Sequence, residues 1–135
     1  MTSIRSEQQL RNALSTLTVE EREAMVYGID HPQEFGAECV ALGSFIRKNH
    51  SGPGYCFCPL TLMMLRLGQA QVITGENGYP DLVWNEQGSS ASKAKTLWWP
   101  IDNYLDDGRS SSDQSRIDET VTAIKRICQE LSATE

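Results

Sequence analysis

The chain has 135 residues, of which 39% are hydrophobic and 22% charged, and its formal net charge is −6 at pH 7. This length favours one domain with its own core, and this composition is too apolar for a wholly disordered chain. The acidic balance argues against direct binding of nucleic acid or of an anionic membrane surface, and it suits a protein partner with a basic surface. The first residues contain no apolar stretch typical of a signal peptide, and no apolar run reaches the length of a membrane span. We therefore expect a cytoplasmic protein with reduced cysteines.

Two amphipathic helices are predicted at the start of the chain. The first spans Ser3–Leu17, because apolar residues recur there at the helical spacing of i, i+3, i+4 and i+7. The next begins after Thr18, which has the spacing of a capping box with Glu21, and it ends near Ile29. The apolar stripe of the first helix consists of Leu10, Ala13, Leu14 and Leu17.

A third helix is predicted from Pro32 to about Lys48. Proline suits the first helical turn, because the N–H group that it lacks would have no helical partner there. Gly36 and Gly43 are unfavourable within a helix, and we expect them to allow the close approach of another helix. The apolar row of this helix would consist of Phe35, Cys39, Leu42 and Ile46.

The most apolar stretch of the chain lies near its middle. Between Pro59 and Leu67 the only charge is Arg66, and apolar residues cover nearly the whole circumference of a helix. A helix of this kind is buried on several sides. We therefore predict a central helix over about residues 59–70, around which the other elements pack.

A small antiparallel hairpin or meander is predicted over about residues 71–99. Gln71–Thr74 and Leu82–Trp84 are short and contain β-branched or aromatic residues, and Asn77-Gly78 between them is a hairpin signal. Asn85–Lys95 has almost no apolar residue and is interpreted as a mobile loop. Thr96–Trp99 would form a third strand.

The last helix has the clearest periodicity in the chain. Ser112 or Asp113 would cap its start, and its apolar residues are spaced by four, three, four and three positions. These residues are Ile117, Val121, Ile124, Cys128 and Leu131. Together these patterns predict a single-domain α+β fold with helix dominant, in which four to five helices surround the central one.

The cysteines raise the question of a metal site. Zinc is usually held by four nitrogen or sulfur ligands that arrive as two close pairs. Here Cys56 and Cys58 form one close pair of unusual spacing, while Cys39 and Cys128 fall on apolar helix faces, where cysteine acts as a small hydrophobe. This pattern favours core cysteines over zinc. No carboxylate has a sequence neighbourhood that would raise its pKa, so we predict no catalytic residue, metal or cofactor.

The tract Lys95–Asp107 is the strongest candidate for a binding surface. In a strand Trp98 and Trp99 would point to opposite faces, so a sheet packed on one side would leave one of them exposed. Exposed aromatic residues are favoured anchors of protein interfaces. The alternative, that both tryptophans are buried between the sheet and a helix, is slightly favoured, because tryptophan is highly buried on average. The predicted partner-binding residues are Trp98, Trp99, Asp102, Tyr104, Asp106 and Asp107.

Two functions are compatible with these observations. The first is a small acidic interaction protein that binds a partner protein and inhibits or modulates it, in the manner of an immunity protein or a phage inhibitor. Its support is the acidity, the aromatic and acidic tract, and the lack of a catalytic motif. The alternative is a small enzyme, or a ligand- or metal-binding domain, whose site includes Cys56 and Cys58. The sequence gives no oligomeric state.

Overall fold

The computed structural model describes residues 4–49, 51–75, 77–85, 87–105 and 108–134, with side chains from residue 7 onward. Within these residues helix predominates and the strands form two small sheets, so the predicted helix-dominant α+β fold is confirmed. The helices are α1 (Ile4–Ser15), α2 (Val19–Asp30), a short 3-10 helix (Pro32–Phe35), α3 (Pro59–Arg66), α4 (Ser89–Asp102) and α5 (Gln114–Ala133). The strands are β1 (Cys39–Val40), β2 (Ile46–Lys48), β3 (Tyr55–Phe57), β4 (Ala70–Thr74) and β5 (Pro80–Trp84).

Helix α3 is the predicted central helix, and every residue from Pro59 to Met64 is buried. It ends earlier than predicted, because Gly68 adopts a positive φ of 72° and turns the chain into β4. Its closest neighbour is α2. A Cβ atom built on Gly28 of α2 would lie 2.6 Å from Cβ of Leu62, so only glycine allows this approach of the two helices.

The start of α2 is fixed by the predicted capping box and by contacts that reach much further along the chain. Thr18 Oγ1 accepts from the Glu21 N–H at 3.1 Å, and Glu21 Oε1 accepts from the Thr18 N–H at 2.8 Å. The same carboxylate also accepts from Ser90 Oγ at 2.6 Å and from Lys93 Nζ at 2.7 Å. Glu21 therefore caps α2 and joins it to α4.

Residues 32–48 do not form the predicted third helix. The 3-10 helix ends at Gly36, which has a positive φ of 89°, and Gly43 has a positive φ of 82°. A right-handed helix cannot contain such residues, so both glycines serve as turns instead of helix contacts. The remainder of this segment contributes β1 and β2 to a sheet.

The two sheets have different topologies. In the three-stranded sheet β3 lies in the middle, parallel to β1 and antiparallel to β2. Strands β4 and β5 form the predicted antiparallel hairpin. Its inner face packs on the core, where the ring of Trp84 meets that of Phe45 at a centroid distance of 5.0 Å.

The third strand predicted after the hairpin is wrong, because Thr96–Trp99 belongs to α4, which also includes residues 89–95 of the predicted loop. The stretch from Ser89 to Lys95 is poor in large apolar residues, yet small residues suffice to bury one face of a helix against α1 and α3. Pro100 lies in the last turn of the helix. The buried face of α4 consists of Ser90, Ala91, Ala94, Leu97, Ile101 and Asp102.

Helix α5 agrees with the prediction. Asp113 caps it by accepting hydrogen bonds from the N–H groups of Ser115 and Arg116. Its buried face packs against α1 and α2 and completes the core. None of the helices in the described part of the chain combines the length and hydrophobicity needed to cross a membrane.

Candidate functional site

The two adjacent tryptophans lie in the second half of α4, and their rings meet edge to face with centroids 5.7 Å apart. Trp99 is two positions from the buried Leu97, about 200° around the helix, so its side chain faces solvent and is 63% exposed. Trp98 is half-buried, and its ring packs edge-on near Phe45, with centroids 6.5 Å apart. One tryptophan is therefore exposed, as the predicted binding surface requires, while the slightly favoured alternative of two buried tryptophans and the predicted strand geometry are wrong.

Trp99 stands at the rim of a groove between α1 and α4. The groove has a volume of about 450 Å³. Apolar groups of Ala13, Leu97 and Pro100 line it together with uncharged polar side chains. Those polar side chains belong to Gln9, Asn12, Thr16, Thr96 and Asn103. An exposed aromatic ring beside an uncharged groove is the arrangement expected of a docking site for a segment of another protein.

The other residues of the predicted surface do not join Trp99. Asp102 is 1% exposed and Tyr104 is 8% exposed, so neither offers a side chain to a partner in this conformation. Asp106 and Asp107 lie outside the described residues. The acidic rim that the sequence predicted around the tryptophans thus loses Asp102, because the helix directs this carboxylate inward, on the same face as Ile101.

Asp102 is the most unusual polar group in the core. Its Oδ2 accepts from the Gly43 N–H at 2.8 Å, while Oδ1 has no hydrogen-bond partner among the described residues. Burial raises the pKa of Asp102 to about 7, against the opposing effects of the Gly43 hydrogen bond and of the Arg116 and Arg47 guanidinium groups. The prediction that no carboxylate has a raised pKa is therefore wrong.

A sequence signal for Asp102 exists once α4 is recognised as a helix. Ala91, Ala94, Trp98 and Asp102 are spaced by three, four and four positions, which places the carboxylate on the inward stripe. Arg116 lies beside it and is 6% exposed. Its Nη2 donates to the main-chain oxygen of Asp102 at 3.2 Å and its Nη1 donates to that of Arg109 at 2.8 Å.

The hairpin carries a second group of exposed apolar residues, which sequence reasoning missed. Register pairs Gln71 with Val83 and Ile73 with Asp81, so these four side chains share the outer face. Ile73 is 45% exposed and Val83 is 40% exposed. The sequence contained a signal for these exposed residues, because apolar residues occupy both the inward and the outward positions of the two alternating strands.

The cysteines divide into two pairs. Cys39 and Cys56 form a disulfide between β1 and β3, with Cα atoms 4.5 Å apart, so the expectation that all four cysteines are reduced is wrong in this structure. Cys58 and Cys128 are free and buried. Burial raises the pKa of the Cys58 thiol to about 12 and that of Cys128 to about 11, so neither is a nucleophile at neutral pH.

The sequence favours core cysteines over a metal site. Within the described ranges, no group of three or more His, Cys, Asp or Glu side chains is placed to hold a metal ion. Comparison of the chain with known protein families, with curated proteins and with solved structures found no match.

Proposed function

We propose that this chain is a protein-binding module that docks a partner through Trp99 and the groove between α1 and α4, and thereby inhibits or modulates that partner. The observation that carries the proposal is the position of Trp99. At 63% it is the most exposed large apolar side chain in the described part of the chain, and it borders a groove of about 450 Å³. Tryptophan is strongly enriched among the residues that dominate binding energy at interfaces.

The charge of the chain favours a partner with a basic surface. The net charge of −6 attracts a partner with a basic surface and speeds its association, while the uncharged groove and Trp99 hold the partner after contact. The buried Cys58 argues against the alternative of an enzyme with a nucleophile there, because its thiol is protonated at neutral pH.

The exposure of Trp99 is testable without a partner. Acrylamide should quench the fluorescence of one tryptophan class readily, and Trp99→Phe should remove that class, because Trp84 and Trp98 are half-buried. If Trp99→Phe leaves the quenchable fraction unchanged, Trp99 is not the exposed ring and the docking proposal loses its anchor.

Binding is tested by comparative capture from a native lysate. Wild type, Trp99→Ala and Tyr79→Ala would each be used as bait. Tyr79 is 57% exposed on the hairpin, so it controls for the loss of an exposed aromatic ring elsewhere. The proposal expects a protein that wild type and Tyr79→Ala retain and Trp99→Ala loses. With that protein purified, Trp99→Ala should weaken binding by about 2 kcal/mol or more, mainly through faster dissociation. Equal retention by all three baits would contradict the proposal.

A further inference from the structure

The disulfide lies in a row of three residues across the three-stranded sheet. Cys56 on the middle strand is the register partner of Cys39 on one side and of Arg47 on the other. Register partners on neighbouring strands point to the same face of a sheet. The guanidinium-bearing side chain of Arg47 therefore leaves the sheet on the face that carries the disulfide.

A small cleft opens on this face. It has a volume of about 80 Å³, and both cysteines and Arg47 line it. Its further lining residues include Lys48, Ser112 and Gln114. Such a volume is enough for a few water molecules or one thiol-bearing side chain. Cys39 is half-buried while Cys56 is 4% exposed, so Cys39 is the more exposed residue of the pair.

Arg47 places one positive charge in the cleft, on the face of the sheet that carries the disulfide. Arg47 is held in place by a hydrogen bond from its Nη2 to Ser111 Oγ at 2.9 Å, and its guanidinium group also interacts electrostatically with the Asp102 carboxylate. The first turn of α5, which contributes Gln114 to the cleft, is capped by the Asp113 carboxylate, which offsets the partial positive charge of the helix N-terminus. Positive charge stabilises a thiolate relative to the thiol, and thiol–disulfide exchange releases a thiolate.

We propose that Cys39–Cys56 is a thiol–disulfide exchange site that accepts electrons from a dithiol, and that Arg47 stabilises the thiolate released on Cys56. A thiolate of the dithiol attacks Sγ of Cys39, a new S–S bond forms, and the Cys39–Cys56 bond breaks with its electron pair on Cys56. The second thiol of the reductant loses its proton and attacks the mixed disulfide, which releases the Cys39 thiolate. The dithiol is oxidised by two electrons, the cysteine pair is reduced by two, and the two protons of the reductant end on the cysteines.

The sheet does not depend on the disulfide alone. The Glu38 N–H donates to the Tyr55 carbonyl oxygen at 2.8 Å, and the Ala41 N–H donates to that of Phe57 at 2.9 Å, so main-chain bonds flank the disulfide on both sides. Exchange can therefore proceed in the folded protein. This inference is independent of the proposed partner binding, since it concerns a different face and different residues.

The test uses dithiothreitol as the reductant. The full chain is first oxidised with excess oxidised dithiothreitol and then exposed to the reduced form at pH 7, while free thiols are counted by alkylation and mass spectrometry and folding is followed by circular dichroism. We expect two thiols, on Cys39 and Cys56, to appear while the helical signal persists. Cys58 and Cys128 are buried and should stay unmodified.

The role of Arg47 is tested with three variants. Arg47→Gln should slow thiol release roughly 3- to 10-fold, because the released thiolate becomes a poorer leaving group. Arg47→Lys should restore most of the rate. Lys125→Gln, which removes a cation further along α5 that pairs with Asp30, should react like wild type.

The opposite results would overturn the proposal. The first is that Cys39 and Cys56 do not form the disulfide under oxidised dithiothreitol. The second is that thiols are released only in denaturant. The third is that Arg47→Gln and Lys125→Gln release thiols at equal rates. If Arg47→Gln does not fold, the alkylation rate of the reduced wild-type pair against pH decides instead. A thiol that titrates below the ordinary value of about 8.5 supports the site, and two thiols at or above it contradict the site.

Discussion

Replacement of the buried carboxylate Asp102 by Asn should change how stability depends on pH. The pKa of Asp102 is about 7 in the folded protein against an ordinary value of 3.8, and burial is the main cause. Because the folded chain binds this proton more tightly, the stability that Asp102 contributes is fully present below about pH 3.8 and is lost as the pH rises through about 7. Asp102→Asn removes the titration, so this loss should disappear.

The magnitude follows from the difference between the two pKa values. A shift from 3.8 to about 7 is about three units, and each unit corresponds to about 1.36 kcal/mol, which gives about 4 kcal/mol as an upper bound. Solvent screening reduces this figure little, because Asp102 is 1% exposed. Asn keeps an oxygen that can accept the Gly43 N–H, but its amide group can add a buried donor without a partner, at about 1–3 kcal/mol. The informative quantity is therefore the slope with pH and not the stability at one pH.

The assay is urea unfolding followed by circular dichroism between pH 4.5 and pH 8. Over this range wild type should lose up to about 3 kcal/mol more stability than Asp102→Asn, because part of the loss already occurs below pH 4.5. Asp81→Asn, at an exposed position on the hairpin, is the matched control and should keep the wild-type slope. Parallel curves for wild type and Asp102→Asn would refute the claim that Asp102 titrates in the core.

Three further changes test the fold. Leu62→Ala should lower the free energy of unfolding by about 2–5 kcal/mol, because this side chain is fully buried on α3; a loss below about 0.5 kcal/mol in urea melts would contradict the central position of that helix. Thr18→Ala should cost about 1 kcal/mol, since it removes the acceptor that caps α2, and an unchanged melting temperature would count against the cap. Cys39→Ser should lower stability by about 3 kcal/mol relative to the oxidised wild type, because it opens a loop with a sequence separation of 17, and should match the reduced wild type within about 0.5 kcal/mol.

Prediction from the sequence succeeded where the signal was local. The capping box at Thr18, the hairpin turn before β5 and the periodicity of α5 each depend on residues within a few positions of one another. The central position of α3 followed from its composition alone, because a helix without a polar face has no stable place on the surface.

The failures have a common cause, which is that tertiary contacts decided the outcome. The apolar spacing of residues 32–48 suited a helix, yet the positive φ angles at Gly36 and Gly43 and the pairing with β3 produced turns and strands. The small residues before Lys95 resembled a loop, yet α1 and α3 supply the apolar surface that makes them a helix face.

The candidate site could be predicted only in part for the same reason. The exposed Trp99 belongs to the candidate surface that the sequence indicated, although the sequence slightly favoured burial of both tryptophans. The inward direction of Asp102 was not predicted, because the direction of a side chain depends on the type of element that carries it. The disulfide joins residues 17 apart whose proximity depends on a parallel pairing that no local pattern predicts.

The carboxylate of Glu21 has a consequence for the order of folding. Its bond to Thr18 can form as soon as the first turn of α2 forms, but Ser90 and Lys93 lie 69 and 72 residues further along the chain. The beginning of α2 therefore acquires its full set of contacts only after α4 has docked. Contacts of such long sequence separation slow folding and make distant segments unfold together. Amide hydrogens in the first turn of α2 should accordingly exchange with solvent at the rate at which α4 detaches, so a signal at residue 21 reports on a helix that starts at residue 89.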